Sequence, residues 1–378
     1  MCKIVFHKDY LLYNFGENHP FSPLRSLLVY EFVKEVIGEN YLIFPEAPVN
    51  SEELEIIHTK EYISIVEKAS NGIEIENAEF FGLGTADNPI FPKMAEGCRF
   101  MVAGTSLGAE LIYENRCNIV INLGGGLHHA QKNNASGFCL YNDIAYAIKR
   151  LTLKGLHVLY LDIDAHHSDG VQNIFYSDDK VLNISLHESG EYLFPGTGWT
   201  YELGRSMGKA TTINIPLEPF TEGENYLKVL EEIFIPAIKW FKPDLIVLQA
   251  GADSHYLDPL ADLMLTTRDY EEIFKKILKW SKEYSNGKML ITLGGGYNHI
   301  VSAKIWSIMC SIFTGKQYPE KLPDRVLKKW EKILGKKINP EIHDPENPFE
   351  PIPRKEEINR TNLDRVEKIL DLVSPYWW

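Results

Sequence analysis

The 378-residue chain is 44% hydrophobic and 24% charged, an ordinary globular composition with apolar material enough for one large core. Its formal charge of −13 argues against non-specific nucleic-acid binding, which needs a basic surface. It suits cationic amines, although solubility is the plainer reading. Five scattered cysteines without a CxxC pair, first residues without a signal-peptide core and no run of ~18 apolar residues argue against a disulfide framework and a membrane span, and the expectation is a cytoplasmic protein.

In chain order, apolar periodicity predicts a helix over 92–113, a strand over 118–123 and a helix over 141–153. Strands follow over 157–163, 181–186 and 212–217, then a helix over 222–240. A strand over 245–249, a helix over 267–284 and a strand over 289–293 complete the alternation. Continuous apolar strands alternating with amphipathic helices predict an α/β protein with a central parallel β-sheet and helices on both faces. Composition changes near residue 316. Residues 338–354, crowded with Pro, Asn and acids, predict an irregular connection, and 361–372 a helix. The expected division is a catalytic domain over 1–315 and a C-terminal extension over 316–378 packed on it, with Trp377 and Trp378 docked on its surface.

In a parallel sheet, ligands gather outside the carboxyl ends of the strands. Four runs end in chemistry-bearing residues: Gly124-Gly125-Gly126-Leu127-His128-His129, then Asp162-Ile163-Asp164-Ala165-His166-His167-Ser168-Asp169, then Gly251-Ala252-Asp253, then Gly294-Gly295-Gly296-Tyr297. Asp162, Asp164 and His166 are spaced by two, so an extended segment projects them to one side. Asp164 and His166, with Asp253 from a neighbouring strand end, offer two carboxylates and an imidazole to one metal and leave a coordination position open, the pattern of catalytic zinc. Such a zinc polarises a carbonyl and lowers the pKa of a water. His128 and His129 are general acid and base candidates, with Asp162 and Asp169 as acidic partners. Tyr297 is a candidate donor to a developing oxyanion.

Six segments, GGGLHHA, SGFCLYNDIA, LDIDAHHSDGVQ, FPGTG, QAGADS and LGGGY, stand in the order found in the histone deacetylase family, and the chain resembles its bacterial and archaeal members over roughly residues 3–315. The resemblance implies an arginase–deacetylase fold and a zinc-dependent amidohydrolase that removes acetyl groups from acetyl-lysine or a similar acylated amine. It implies zinc on Asp164, His166 and Asp253; by its chemistry such an O,N,O donor set also accepts Fe²⁺ or Co²⁺. It makes His129, paired with Asp169, the general base, and His128, paired with Asp162, its electrostatic neighbour or acid. Tyr297 becomes the residue that polarises the carbonyl. The resemblance also implies a potassium ion near Asp162, Asp164, His166, Ser185 and Leu186, and a narrow acyl tube walled by Gly137, Phe138 and Phe194. Asp87 matches an acid that binds substrate backbone, Arg25 an arginine of the cavity below the zinc, and Cys139 lies beside the tube without being a nucleophile. The segment after Asp253 and that over 187–194 depart from the animal enzymes, which leaves the substrate open.

Two other readings are weaker. A binuclear manganese hydrolase of the arginase type needs acids where this chain has Ser168 and His255. A catalytically dead acyl-lysine reader would have lost a ligand or Tyr297, and none is lost.

Overall fold

The computed structural model describes residues 1–377. Eight strands form one sheet: β1 (Cys2–Val5), β2 (Leu42–Ile43), β3 (Ile119–Asn122), β4 (Val158–Asp162), β5 (Val181–Glu188), β6 (Thr212–Leu217), β7 (Leu245–Gln249) and β8 (Met289–Thr292). All pair in parallel, in the order β2-β1-β3-β8-β7-β4-β5-β6. Every residue of β3 to β8 is buried, as expected for parallel strands covered by helices on both faces. The four strands predicted to carry chemistry are neighbours, β3-β8-β7-β4, so their carboxyl ends open onto one rim.

The helices are α1 (Leu24–Phe32), α2 (Lys60–Ser70), α3 (Met94–Tyr113), α4 (Asp143–Leu153), α5 (Asp169–Phe175), α6 (Gly223–Phe241), α7 (Thr267–Tyr284), α8 (His299–Thr314), α9 (Asp324–Leu334) and α10 (Lys355–Trp377). The expected elements are present with small shifts at their ends, and the shifts have local causes. Helix α3 starts at Met94 because Lys93 adopts φ +64. Helix α4 starts after Asn142, whose side chain accepts the Ala145 N–H at 2.8 Å, an N-cap. Strand β5 runs on to Glu188 because β6 stays in register with it as far as Leu217. Two short strands, the edge strand β2 and its neighbour β1, are absent from the sequence-based expectation; two to four residues carry too little periodicity to read.

The C-terminal region departs most from expectation. Helix α9, also unanticipated, lies on α1, where the buried Trp330 indole donates to the Leu28 carbonyl at 2.8 Å. Beside it Lys329 meets Glu31 and Glu35. Those half-exposed pairs contribute about 0–1 kcal/mol, so the burial of Trp330, worth more than about 1.5 kcal/mol, is what seats the helix. Helix α10 runs from 355 to 377 rather than 361 to 372. Its polar first turns are held by partners outside the helix: buried Asn362 accepts the Glu218 N–H and donates to Thr221 and Asn225. Trp377 is buried rather than docked on the surface; it stacks on Trp240 with centroids 5.2 Å apart. The other tryptophan expected there, Trp378, lies outside the described residues.

All five cysteines are free and buried. No helix among the described residues is long and apolar enough to cross a membrane.

Candidate metal centre and active site

Beyond Asp162 the chain leaves the strand and bends, so the same-side placement of Asp164 and His166 does not come from extended backbone, as the sequence spacing suggests. Two successive side-chain-to-backbone turns produce it. Asp162 Oδ1 accepts the Asp164 N–H at 2.9 Å, and Asp164 Oδ1 accepts the His166 N–H at 3.0 Å. Such i to i+2 bonds are the usual device by which aspartate shapes a turn. Asp253 closes the group from the end of β7: its Oδ1 accepts the Ala165 N–H at 2.8 Å, and its Oδ2 lies 2.9 Å from His166 Nδ1. One ligand atom from each of Asp164, His166 and Asp253 lies within 4.8 Å of the others, and all three residues are buried. Among the described residues no other trio of His, Cys, Asp or Glu is so placed.

The charge balance of this cluster fits a cation. Burial raises Asp253 to about 8, with the Asp164 charge adding to it. His166 goes to about 10 because Asp164 and Asp253 outweigh burial, which opposes its charge. Burial opposes the charge on Asp164, but His128 and His166 hold it well below the ordinary carboxylate range, so it stays ionised. The cluster is therefore balanced by protons on Asp253 and His166, and a divalent cation on the same three donors would replace them.

Two His–Asp pairs stand alongside. His128 Nδ1 lies 2.8 Å from Asp162 Oδ2, and His129 Nδ1 lies 2.7 Å from Asp169 Oδ1. Each pairing places a proton on Nδ1; Nε2 is then an acceptor on a neutral ring and carries a second proton on a cationic one. The two rings nevertheless titrate in opposite directions. For His128 burial opposes the charge, but Asp164 and Asp162 prevail and raise it to about 9. His129 is lowered to about 4, first by burial and then by the neighbouring His128.

Tyr297, after β8, meets His166 with ring centroids 6.1 Å apart. Burial, then Asp253 and Asp164, hold its hydroxyl well above the ordinary phenol range, so it stays a donor. Gly295, two residues earlier, donates its N–H to Asp164 Oδ2 at 2.6 Å. A Cβ there would lie 2.1 Å from Asp253 Oδ2, which is why a glycine run precedes the tyrosine.

The expected tube residues frame this centre. Phe194 meets His129 edge-on at 5.1 Å, and Phe138 meets Tyr297 edge-on at 5.7 Å. Gly137 lies between these rings with φ +49; a Cβ on it would come 2.4 Å from His129 Cδ2 and 2.9 Å from Phe194. Phe194 is 43% exposed, at the open end. Asp87 is exposed beside His19, whose ring meets Phe138 at 4.6 Å. Arg25 is buried, donates to the Gly296 carbonyl at 2.7 Å and lines a cavity of about 30 Å³ with His128, Gly295 and Tyr297. Cys139 is buried, and burial raises its thiol far above the nucleophilic range. Ser185 is the register partner of Asp162, and its hydroxyl lies 2.8 Å from His187 Nδ1.

Several polar residues of the centre escape a reading of the sequence. Gln131 donates to Asp169 Oδ2 at 2.8 Å, and Tyr160 donates to Asp162 at 2.5 Å. Asn142 donates to the His128 and Ala130 carbonyls, and Asp143 accepts the Gly126 and Leu127 N–H groups. Asp258 accepts the Tyr297 N–H at 2.7 Å. Asn142 and Asp143 sit inside a recognised motif; for Gln131 and Asp258 no local signal exists. His255, a metal-ligand position in the arginase-type alternative, instead points to Asp344 with its Nε2 at 3.0 Å.

A model of the histone deacetylase domain matches residues 19–313. The acetoin utilization protein AcuC of Bacillus subtilis is 39% identical over 375 residues, covering 97% of this chain and 96% of that one. Its namesake in Staphylococcus xylosus is 37% identical over 372 residues, covering 97% and 96%. Among solved structures, a histone deacetylase homologue from Aquifex aeolicus superposes with a TM-score of 0.84 at 29% identity, over 96% of this chain and 99% of that one. A histone deacetylase homologue complexed with SAHA superposes with a TM-score of 0.86 at 29% identity, over 97% and 99%. With an eight-stranded parallel sheet, a buried Asp-His-Asp trio and a domain match over most of its length, the chain belongs to the histone deacetylase family.

Proposed function

We propose that the chain is a zinc-dependent deacetylase that hydrolyses the amide of an N-acetylated amine, acetyl-lysine or a similar acyl amine. The observation that carries this reading is the buried Asp164–His166–Asp253 trio set beside two oppositely tuned His–Asp pairs. Bound to that trio, zinc supplies a Lewis acid that polarises the amide carbonyl and acidifies a water; an O,N,O donor set also accepts Fe²⁺. His129, neutral at physiological pH and oriented by Asp169, takes the proton of the attacking water at Nε2 and returns it to the amine nitrogen as the C–N bond breaks. His128, held cationic by Asp162 and Asp164, offsets the negative charge that develops nearby. The Tyr297 hydroxyl donates to the carbonyl oxygen as it becomes an oxyanion. Phe138 and Phe194 admit a slender aliphatic chain on either side of Gly137, and Asp87 at the rim accepts from the substrate backbone. Asp162 already accepts from Tyr160, His128 and the Asp164 N–H. A carboxylate has about four lone-pair sites, so one remains for a potassium ion shared with Ser185 and the carbonyls of Asp164, His166 and Leu186.

The test is acetate release by zinc-loaded protein from an acetyl-lysine peptide mixture and from acetylated polyamines, with Tyr297→Phe as background. Release above that background from either class supports the reading and names the substrate class. Release from neither, with zinc bound, sinks the deacetylase assignment for these amines.

The two histidines set a pH dependence. The charged His128 is lost as pH rises through about 9, and the neutral His129 is lost only as pH falls toward about 4. A nearby cation disfavours both imidazolium forms and moves both limbs downward. The expected kcat/KM at saturating zinc is flat across neutrality and falls on the alkaline side at or below about pH 9. A rate still climbing above that pH would remove the charge from His128's role. SAHA, the compound in the related complex, is expected to compete with the substrate; uncompetitive inhibition or none would place it elsewhere.

A further inference from the structure

The family match ends at residue 313, yet one side chain beyond it reaches back into the loop that carries Asp253. Asp344 has 10% side-chain exposure. Its Oδ2 accepts from His255 Nε2 at 3.0 Å, from the Thr267 N–H at 2.8 Å and from the Thr267 hydroxyl at 2.8 Å, and its Oδ1 lies 3.5 Å from the Tyr256 hydroxyl. The tautomer of His255 is set by its other nitrogen: Nδ1 accepts the Leu257 N–H at 3.2 Å, so the proton sits on Nε2 and goes to Asp344. His255 is 1% exposed, two residues after Asp253.

The line continues inward. The His255 carbonyl accepts the Asp258 N–H at 2.8 Å, and Asp258 Oδ2 accepts the Tyr297 N–H at 2.7 Å. A further brace comes from Phe349, whose ring packs on Tyr256 at 5.4 Å. One carboxylate outside the matched span thus holds the imidazole around which the 253–258 loop is folded. That loop carries Asp253 at one end and the anchor of Tyr297 at the other.

We propose that Asp344 is a positioning residue of the active centre, acting through His255 on Asp253 and Tyr297; this rests on Asp253 being a metal ligand and Tyr297 the carbonyl donor. Without Asp344 the buried Nε2–H of His255 has no acceptor, a loss that is relieved by turning the ring and dragging the loop. A metal ligand and an oxyanion donor tolerate little displacement, and loss of an outer partner of a metal site commonly weakens binding or rate by about 10- to 100-fold. The competing role is purely structural, because Thr267 is the first residue of α7 and Asp344 also caps that helix.

The experiment uses the full chain loaded with Co²⁺, whose visible absorption reports ligand geometry. One equivalent bound by the parent, and none by Asp253→Ala, first establishes the site; a parent that takes up no Co²⁺ overturns both the site and this inference. Asp344→Ala is then compared with Thr267→Val, which removes the hydroxyl that donates to the same carboxylate and accepts the Asp344 N–H, and leaves the carboxylate to His255. The expected result for Asp344→Ala is a shifted Co²⁺ spectrum, release of the ion to a chelator about tenfold faster, and kcat lower by about tenfold with little change in KM. Thr267→Val should lower the melting temperature and leave the spectrum alone. A parent-like spectrum and release rate in Asp344→Ala would reduce Asp344 to a helix cap. Should the alanine variant not fold, Asp344→Leu, which removes the acceptor at closer to the original volume, carries the same comparison under the same criteria.

Discussion

Tyr297→Phe should keep its zinc and its fold and lose about 10²- to 10³-fold in kcat, equivalent to about 2.7–4 kcal/mol of transition-state stabilisation. The change removes one oxygen and no volume that the neighbours need. Phe138 would still meet the ring edge-on, and the Arg25 guanidinium, 5.7 Å from the ring centroid, would still lie over its face. The backbone stays tied because Asp258 grips the N–H rather than the hydroxyl. What disappears is a donor that cannot ionise, since burial and two nearby carboxylates keep the phenol protonated. Zinc content by elemental analysis and kcat on the better acetylated substrate are the two measurements. A kcat within about threefold of the parent would be far below the effect of losing an oxyanion donor and would remove Tyr297 from the chemistry.

Asp253→Ala should abolish both activity and zinc, taking the metal content from about one per chain to near none after dialysis, because two donors do not make a zinc site. The same carboxylate also shapes the backbone, since its Oδ1 accepts the buried Ala165 N–H. Leaving that group unpaired costs about 1–3 kcal/mol. Against that, the metal-free variant is relieved of the repulsion between Asp164 and Asp253, which adds to burial in raising Asp253 to about 8 in the parent. These terms oppose each other, so the metal-free proteins should melt within a few degrees of one another. The discriminating signal is the response to added zinc. A ligand at 100 times its Kd stabilises the folded state by about 2.7 kcal/mol, so the parent's melting temperature should rise and the variant's should not. Retained stoichiometric zinc in the variant would strike Asp253 from the ligand set.

What is legible in the sequence follows from how local each feature is. Strands β3 to β8 can be read because burial on both faces demands continuous β-branched runs, and each such run is visible in isolation. The strand-end residues His128, His129, Asp162, Asp164, His166, Asp253 and Tyr297 can be read because glycine turns and acid–histidine spacing accompany them. Strands β1 and β2, with two to four residues each, offer no period to detect. Helix α10 reads six residues short at its start because its first turns are polar and are stabilised by Glu218, Thr221, Asn225 and Glu222 on other elements. The bend at 163–168 reads as extended because alternation by two looks the same whether a strand or two aspartate turns produce it.

By itself, the sequence determined the alternating α/β pattern, the rim on which function gathers and the residue types that arrive there. It did so because hydrophobic period and turn chemistry act over a few residues. Only the tertiary structure decided that β3, β8, β7 and β4 are neighbours, so that residues as far apart in the chain as His128 and Tyr297 meet in one centre. It alone shows the geometry of the two His–Asp pairs, why His128 and His129 titrate apart, and that Gln131 and Asp258 hold Asp169 and the Tyr297 backbone. Pairing and burial are properties of neighbours in space, and the long-range contacts that create them leave no local periodicity for a sequence to display.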